Sequence, residues 1–270
     1  MSDEFIIKSL STLEDLQEVQ RLEVLVWGMD CVPIHQTITA VKNGGLVLGG
    51  YINGQLVGFQ YSFPGFKDGR AYLCSHMLAI HPAHQKKGYG KLLKLAQKEE
   101  ALKKGYDLIT WTYDPLESVN ANLNIGKLKA VCSTYMDDCY GNMKDTLNEG
   151  LSTDRFMVEW NIRQEAKEET PLPDKAIHIV TTGMNDQGFP YIKDYHFETN
   201  AEMIAIPIPT DIQQIKKADL SLAIDWRLKT GELFKTLFAK GYVAAGIERE
   251  QGGNIQNYLL KKTRIRGESG

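Results

Sequence analysis

Hydrophobic positions along the 270-residue chain switch repeatedly between a period of two and a period near 3.6, as in strands that alternate with helices. Phe5-Ile6-Ile7-Lys8 reads as a first strand. Ser11-x-x-Glu14, set against Leu13, Leu16, Val19, Leu22 and Val26, reads as a capping box opening an amphipathic helix. Trp27 to Gly45, interrupted by Pro33, reads as irregular, and Leu46 to Phe63 as a hairpin around Asn53-Gly54, a pair that accepts the positive φ angles of a type I′ turn. The apolar strand ending at Ile80 stops at His81-Pro82, because proline has no N–H for a ladder, and from Leu92 onward apolar residues recur at helical spacing. Asp107 to Tyr113 reads as the next strand and Glu117 to Ala130 as a helix. Val131 to Tyr135 and Arg155 to Trp160 close this half as strands, joined by a polar excursion from Asp137 to Asp154.

The pattern then lapses. Residues 164–175 are charged and then punctuated by Pro171 and Pro173, with little to bury, which predicts a linker between a first domain over 1–163 and a second over 176–270. Ala176 to Thr181, Tyr191 to Phe197 and Ala201 to Ile208 read as strands, Leu220 to Ala239 as a helix, and Tyr242 to Glu248 with Ile255 to Lys261 as a hairpin. Met203-Ile204-Ala205-Ile206-Pro207 echoes Met77 to Pro82, and Phe238 to Tyr242 echoes Leu102 to Tyr106. The second half therefore reads as a degenerate repeat of the first, without the glycine turn described next.

Between the strand ending at Ile80 and the helix beginning near Leu92 lies Gln85-Lys86-Lys87-Gly88-Tyr89-Gly90. Two glycines let the backbone turn sharply, and the N–H groups at a helix start have no intrahelical acceptor. Their partial positive charge, with Lys86, Lys87 and Lys91 beside them, suits an anion such as phosphate. The string lacks the Gly-Lys-Ser/Thr of a P-loop and the third glycine and later acid of a dinucleotide fingerprint. It resembles the acyl-CoA-binding motif of the GNAT acetyltransferase superfamily, Gln/Arg-x-x-Gly-x-Gly/Ala, here Gln85-x-x-Gly88-x-Gly90. Leu78-Ala79-Ile80-His81-Pro82 looks like that family's fourth strand and Ala101 to Tyr106 like the end of its third helix, so the resemblance spans about the first 160 residues.

The resemblance implies a mixed α/β (α+β) acyl-CoA N-acyltransferase fold with a mostly antiparallel sheet, followed by a smaller C-terminal α+β domain. It implies acetyl-CoA or another acyl-CoA as cosubstrate. Backbone amides of Gln85 to Lys91 would hold the pyrophosphate, Leu78, Ala79 and Ile80 the pantetheine arm, and Asn120 or Asn122 would contact that arm from a fourth helix. Trp27 to Gly45 corresponds to the region over the acyl acceptor. Thr110 to Leu116, with Asp154-Arg155-Phe156, also resembles a two-domain bacterial GNAT group often encoded beside N-acylamino acid racemases, which implies acetyl or succinyl transfer onto a small amine such as an amino acid.

Composition narrows the field. A net charge of −3 gives no basic field for nucleic acid or anionic membrane. No apolar run approaches a membrane span, and Met1-Ser2-Asp3-Glu4 has none of the features of a signal peptide, so a cytoplasmic protein is expected. The 4 cysteines show no CxxC spacing, which points to reduced thiols and no metal.

Acyl transfer to an amine needs a neutral amine, a stabilised oxyanion and a proton for the leaving thiolate. An alkyl ammonium near pKa ~10 needs a base, and an imidazole near ~6.5 is a suitable one at neutral pH. His76 is the candidate, at the spacing where arylalkylamine N-acetyltransferases carry a histidine, and strand alternation predicts that it faces the same side as Leu78. The family's usual acid, a tyrosine on the fourth helix, is missing from Asn124 to Ala130. Tyr113, Tyr135 and Tyr140 are chemical substitutes, with Tyr140 the chosen one. Arg155 and Arg227 are candidate forks for a substrate carboxylate. The missing tyrosine leaves a second reading open, a non-catalytic acyl-CoA-binding regulatory module.

Overall fold

The computed structural model describes residues 4–28, 31–141, 143, 147–163, 176–249 and 253–263. The expected linker, 164–175, lies outside them. Backbone contacts gather the described residues of 1–111 and 160–165 into one compact unit, and those of 112–159 and 166–270 into another.

The first unit is a sheet in the order β1 (Ile6–Ser9), β2 (Leu46–Ile52), β3 (Gln55–Lys67), β4 (Arg70–Ile80), β5 (Leu108–Tyr113). Its pairings are antiparallel except the last, which is parallel. Asn53 (φ 49°) and Gly54 (φ 79°) turn β2 into β3, as the sequence predicts. α1 (Leu13–Trp27) and α2 (Ile34–Lys42) cover one face. There Leu16, Val19 and Leu22 pack with Phe59, Tyr61 and Ala79, and Trp27, Ile34, Phe63 and Met77 close the margin. α3 (Tyr89–Lys103) covers the other face, against β2, β3 and β4.

Two local readings change. The cap of α1 is Thr12, whose Oγ1 accepts from the Asp15 amide at 3.2 Å while the Asp15 carboxylate accepts from the Thr12 and Ser11 amides, both at 3.0 Å. The box is thus Thr12/Asp15, one residue after the Ser11/Glu14 expected. The segment read as irregular contains α2, which starts immediately after Pro33, where a residue without an N–H costs the helix nothing.

The second unit holds a sheet in the order β7 (Arg155–Asn161), β6 (Val131–Met136), β12 (Tyr242–Arg249), β13 (Ile255–Lys262), β11 (Met203–Pro209), β8 (Ile177–His178), and a separate hairpin of β9 (Val180–Met184) with β10 (Pro190–Tyr195). The expected helix 117–130 is the single turn α4 (Ser118–Ala121), widening into a π-helical segment, Asn122–Lys127. A short α5 (Ile212–Ala218), not foreseen, precedes α6 (Leu220–Ala239), each opened by an aspartate cap, Asp211 and Asp219. On α6, Trp226 and Phe234 are fully buried. The Trp226 indole donates to the Pro190 carbonyl at 2.8 Å, and Phe234 packs with Phe156 and Tyr258. β4 and β5 pair directly, whereas β13 lies between β11 and β12, so the strand–helix–strand segments that echo each other in sequence are arranged differently.

Replacing Thr12 with alanine should lower unfolding free energy by about 1 kcal/mol, and Ser11→Ala should leave it nearly unchanged, because only the Thr12 side chain satisfies a helix amide. Denaturant titration of the two variants checks this; equal losses would return the cap to Ser11.

Candidate functional site

β4 runs into α3 through Pro82–His84, a 3-10 turn in which His81 Nδ1 accepts from the Ala83 amide at 3.2 Å. The Gln85 side chain reaches back to the Ile80 carbonyl at 3.3 Å, so the loop is tied to the end of the strand it leaves. Lys86 (φ 63°) and Gly88 (φ 87°) both take left-handed backbone, and Gly88 is the cap of α3 with no side chain to cover the helix end. The consecutive amides of Lys86, Lys87, Gly88, Tyr89 and Gly90 donate to no protein acceptor among the described residues. Lys86, Lys87 and Lys91 are exposed around them. Tyr89 is anchored by a ring stack on Phe5 at 4.1 Å, and Phe5 rests over Gly50, where a Cβ would collide with its ring. The turn thus offers a row of unpaired donors on a fixed base, the arrangement that holds a diphosphate.

The neighbouring strand has a free edge. β4 pairs with β5 at Leu73–Ile109 and Cys74–Thr110, and the ladder ends there, so Ser75 and Trp111 are the first residues on each strand without a partner across the gap. Leu78, Ala79 and Ile80 lie beyond that point. On the other edge the β3–β4 register slips between Tyr61–Met77 and Ser62–Ser75, leaving His76 as the extra residue of a β-bulge.

The bulge overturns the expected direction of His76. Leu78 lies opposite Gln60 and Ile80 opposite Gly58, positions that face α3. His76 instead packs against Tyr61 (5.9 Å) and Phe63 (5.5 Å), on the face covered by α1 and α2. The residue remains exposed, and partial burial of its ring holds its pKa below the usual histidine value.

On the α3 face the residues are polar. Lys94 is 2% exposed, with Nζ 2.7 Å from Ser75 Oγ and 3.6 Å from the centre of the Trp111 ring, and burial pushes its pKa down to about 7. Gln97 donates to Ser62 Oγ at 2.7 Å, and Gln60 donates to Ser62 and to Ser75. Sequence reading missed this cluster because Lys94 stands between Leu93 and Leu95 in what looks like an apolar helix face. The helix turns that face partly outward, leaving Leu92 44% and Leu95 38% exposed while Lys94 and Gln97 point in.

The other candidates belong to the second unit. Asn120 is exposed on α4 and Asn122 opens the π-helical segment. The Tyr140 hydroxyl pairs with Thr112 Oγ1 at 2.6 Å, and burial pushes its pKa up. Arg227 is buried, its two terminal nitrogens both bonded to Asp114. Arg155 donates to the Asp154 carbonyl at 2.8 Å and to Asn148 Oδ1 at 2.7 Å, and stands 3.9 Å from Asp114. Both forks are therefore already engaged by this chain's own acceptors, and a substrate carboxylate would have to displace them. No group of His, Cys, Asp or Glu among the described residues could hold a metal ion. No helix among them is long and apolar enough to cross a membrane.

Residues 13–122 match the profile of the Acetyltransferase (GNAT) family. No curated protein matches the chain. Among solved structures it is similar to the ribosomal-protein-S18-alanine N-acetyltransferase of Escherichia coli, at 16% identity over 61% of this chain and 98% of the other, with a TM-score of 0.49. It is also similar to a GNAT family acetyltransferase from Elizabethkingia anophelis with acetyl-CoA bound (16% identity, 59% and 99% coverage, TM-score 0.45). A third similar structure is the diaminobutyrate acetyltransferase EctA of Paenibacillus lautus in complex with L-2,4-diaminobutyric acid and coenzyme A (14% identity, 61% and 99% coverage, TM-score 0.46).

Arg227→Met should destabilise the protein by roughly 3 kcal/mol, because it takes the bidentate partner from a largely buried Asp114 carboxylate and leaves it only the Leu116 amide and the more distant Arg155. Unfolding in denaturant measures this. A loss well under 1 kcal/mol would mean that the pair is dispensable and the arginine free for another task.

Proposed function

We propose that the protein is an acyl-CoA-dependent N-acyltransferase, transferring acetyl or succinyl to a small amine such as an amino acid. The observation that carries the reading is the row of unpaired amides from Lys86 to Gly90, lying inside the segment that matches the GNAT family. The residues present fit coenzyme A: left-handed backbone at Gly88 with no side chain above it, a helix N-terminus aimed at the turn, and lysines on its rim suit a diphosphate. The bound acyl-CoA supplies an activated thioester carbonyl.

This chain's own residues supply the rest. The free edge of β4 beyond Cys74 offers backbone donors to the pantetheine arm and to the thioester oxygen, pre-set in the folded protein. His76, largely deprotonated at neutral pH because its pKa is depressed, takes a proton from the acceptor amine on the α1 and α2 face. Tyr140 is the proposed proton donor to the leaving thiolate, its raised pKa keeping it protonated, with water as the simpler source. The absence of a tyrosine between Asn124 and Ala130 favours, as a second reading, a regulatory module that binds acyl-CoA without turning it over.

Three measurements test these roles. Gly88→Asp should abolish measurable CoA binding in calorimetry, while Gly88→Ala, which adds backbone strain without charge, should weaken it less; parental affinity in a folded Gly88→Asp protein would remove the turn from the site. His76→Ala should lower turnover about a hundredfold or more at unchanged CoA affinity, and should remove an acidic limb centred below the ordinary histidine pKa from the pH–rate profile. Turnover assays with acetyl-CoA and succinyl-CoA over an amino-acid panel separate enzyme from regulator: binding with no transfer to any acceptor would support the regulator.

A further inference from the structure

A pile of flat groups stands beside the phosphate turn. Gly50 of β2 makes room for the Phe5 ring, which a Cβ at that position would strike. Tyr89 lies on Phe5 with ring centres 4.1 Å apart and planes 10° from parallel. Tyr89 is also the first residue of α3, and its own amide belongs to the row of unpaired donors from Lys86 to Gly90. One residue therefore carries both a phosphate donor and an aromatic ring.

A near-parallel stack covers one face of a ring and leaves the other to be accounted for. Phe5 takes the inner face of Tyr89. Among the described residues no second ring and no cation lies over Tyr89, and its hydroxyl has no hydrogen-bond partner. The residue is half-buried, and a Cβ on the preceding Gly88 would meet nothing within 4 Å, so the space over the turn is open. Covering Phe5 asks only for an apolar neighbour. A ring held flat by its stack adds a rigid platform, which loses little freedom when something is laid on it.

The chemistry of the turn says what that is. A diphosphate on the amides of Lys86 to Gly90 brings its ester substituent close to residue 89. In a nucleoside diphosphate a single ribose separates the phosphates from a base, and any base has a π face that stacks on an aromatic side chain. Exposed Lys86, Lys87 and Lys91 suit a further phosphate on that ribose.

We propose that the outer face of Tyr89 seats the adenine base of the acyl donor, so that the protein selects a thioester bearing a nucleotide over an acyl-phosphopantetheine such as a carrier protein holds. The identity of the ligand rests on the acyl-CoA reading above. The platform rests on the pile alone.

The decisive variant is Tyr89→Leu, which keeps an apolar neighbour for Phe5 and removes the flat face. In the full-length protein, acetyl-CoA affinity by calorimetry should fall roughly tenfold or more, the loss typical of removing an aromatic that stacks a base, while Tyr89→Phe should stay within about twofold of the parent. Acetyl-phosphopantetheine, which has no nucleotide, should bind the parent more weakly than acetyl-CoA does, and should bind Tyr89→Leu as it binds the parent. Etheno-CoA, whose base is fluorescent, should be quenched on binding the parent and Tyr89→Phe, and much less on binding Tyr89→Leu.

A tyrosine that only pins Phe5 gives another pattern: a lower melting temperature in Tyr89→Leu, with both thioesters weakened alike or not at all and quenching unchanged. That result overturns the platform. If the parent binds no acetyl-CoA, the acyl-CoA reading fails, and ADP titrated against inorganic pyrophosphate decides the platform by itself. Tighter binding of ADP that is lost in Tyr89→Leu upholds it, and equal or absent binding of the two removes it. Should Tyr89→Leu not fold, Phe5→Leu withdraws the support beneath the ring without touching the turn, and is judged by the same readings.

Discussion

A β-strand that loses its neighbour inside a protein keeps its N–H and C=O groups, and something must satisfy them. β4 is in this position beyond Cys74, where β5 has ceased to pair with it. The features around it follow from that constraint. The bulge at His76 sits within the same stretch, Gln85 covers the Ile80 carbonyl, and Lys94 occupies the divergence itself. A ligand arm carrying amides of its own would complete the edge as a further strand does, by backbone hydrogen bonding and with little demand on side-chain identity.

The sequence carried the elements better than it carried their faces. The hairpin at Asn53-Gly54, the strand ended by Pro82 and the helix 220–239 follow from local chemistry that no distant contact revises. The glycine turn was legible for the same reason, since positive φ at Gly88 is a property of the residue itself. What escaped depends on one-residue shifts. Period-two alternation has no memory of a bulge, so it assigned His76 to the side of Leu78, and a single inserted residue moved it to the other. Helical periodicity counts apolar residues and cannot weigh them against a lysine with two partners waiting in the sheet, so it does not show that Lys94 and Gln97 are buried while Leu92 and Leu95 are exposed.

The arginines teach the same lesson from the second unit. A guanidinium is the natural fork for a substrate carboxylate, and sequence shows the fork without showing what already fills it. Asp114 follows directly on β5 and meets Arg227 from α6, more than a hundred residues later in the chain. Tyr258, bonded to Tyr113 at 3.0 Å and to the Pro115 carbonyl at 2.9 Å, fixes the same segment from β13. Such long-range polar closure rigidifies a fold, and no local pattern announces it.

The pile formed by Gly50, Phe5 and Tyr89 has a consequence for how this sequence can drift. Phe5 fits because position 50 has no side chain, and the ring of Tyr89, next to the glycine that opens α3, is held because Phe5 is there. The three positions therefore form one unit of covariation. A homologue with a side chain at position 50 must give up the aromatic at position 5, and with it the platform under position 89, so these changes should be inherited together although the residues lie far apart in the chain.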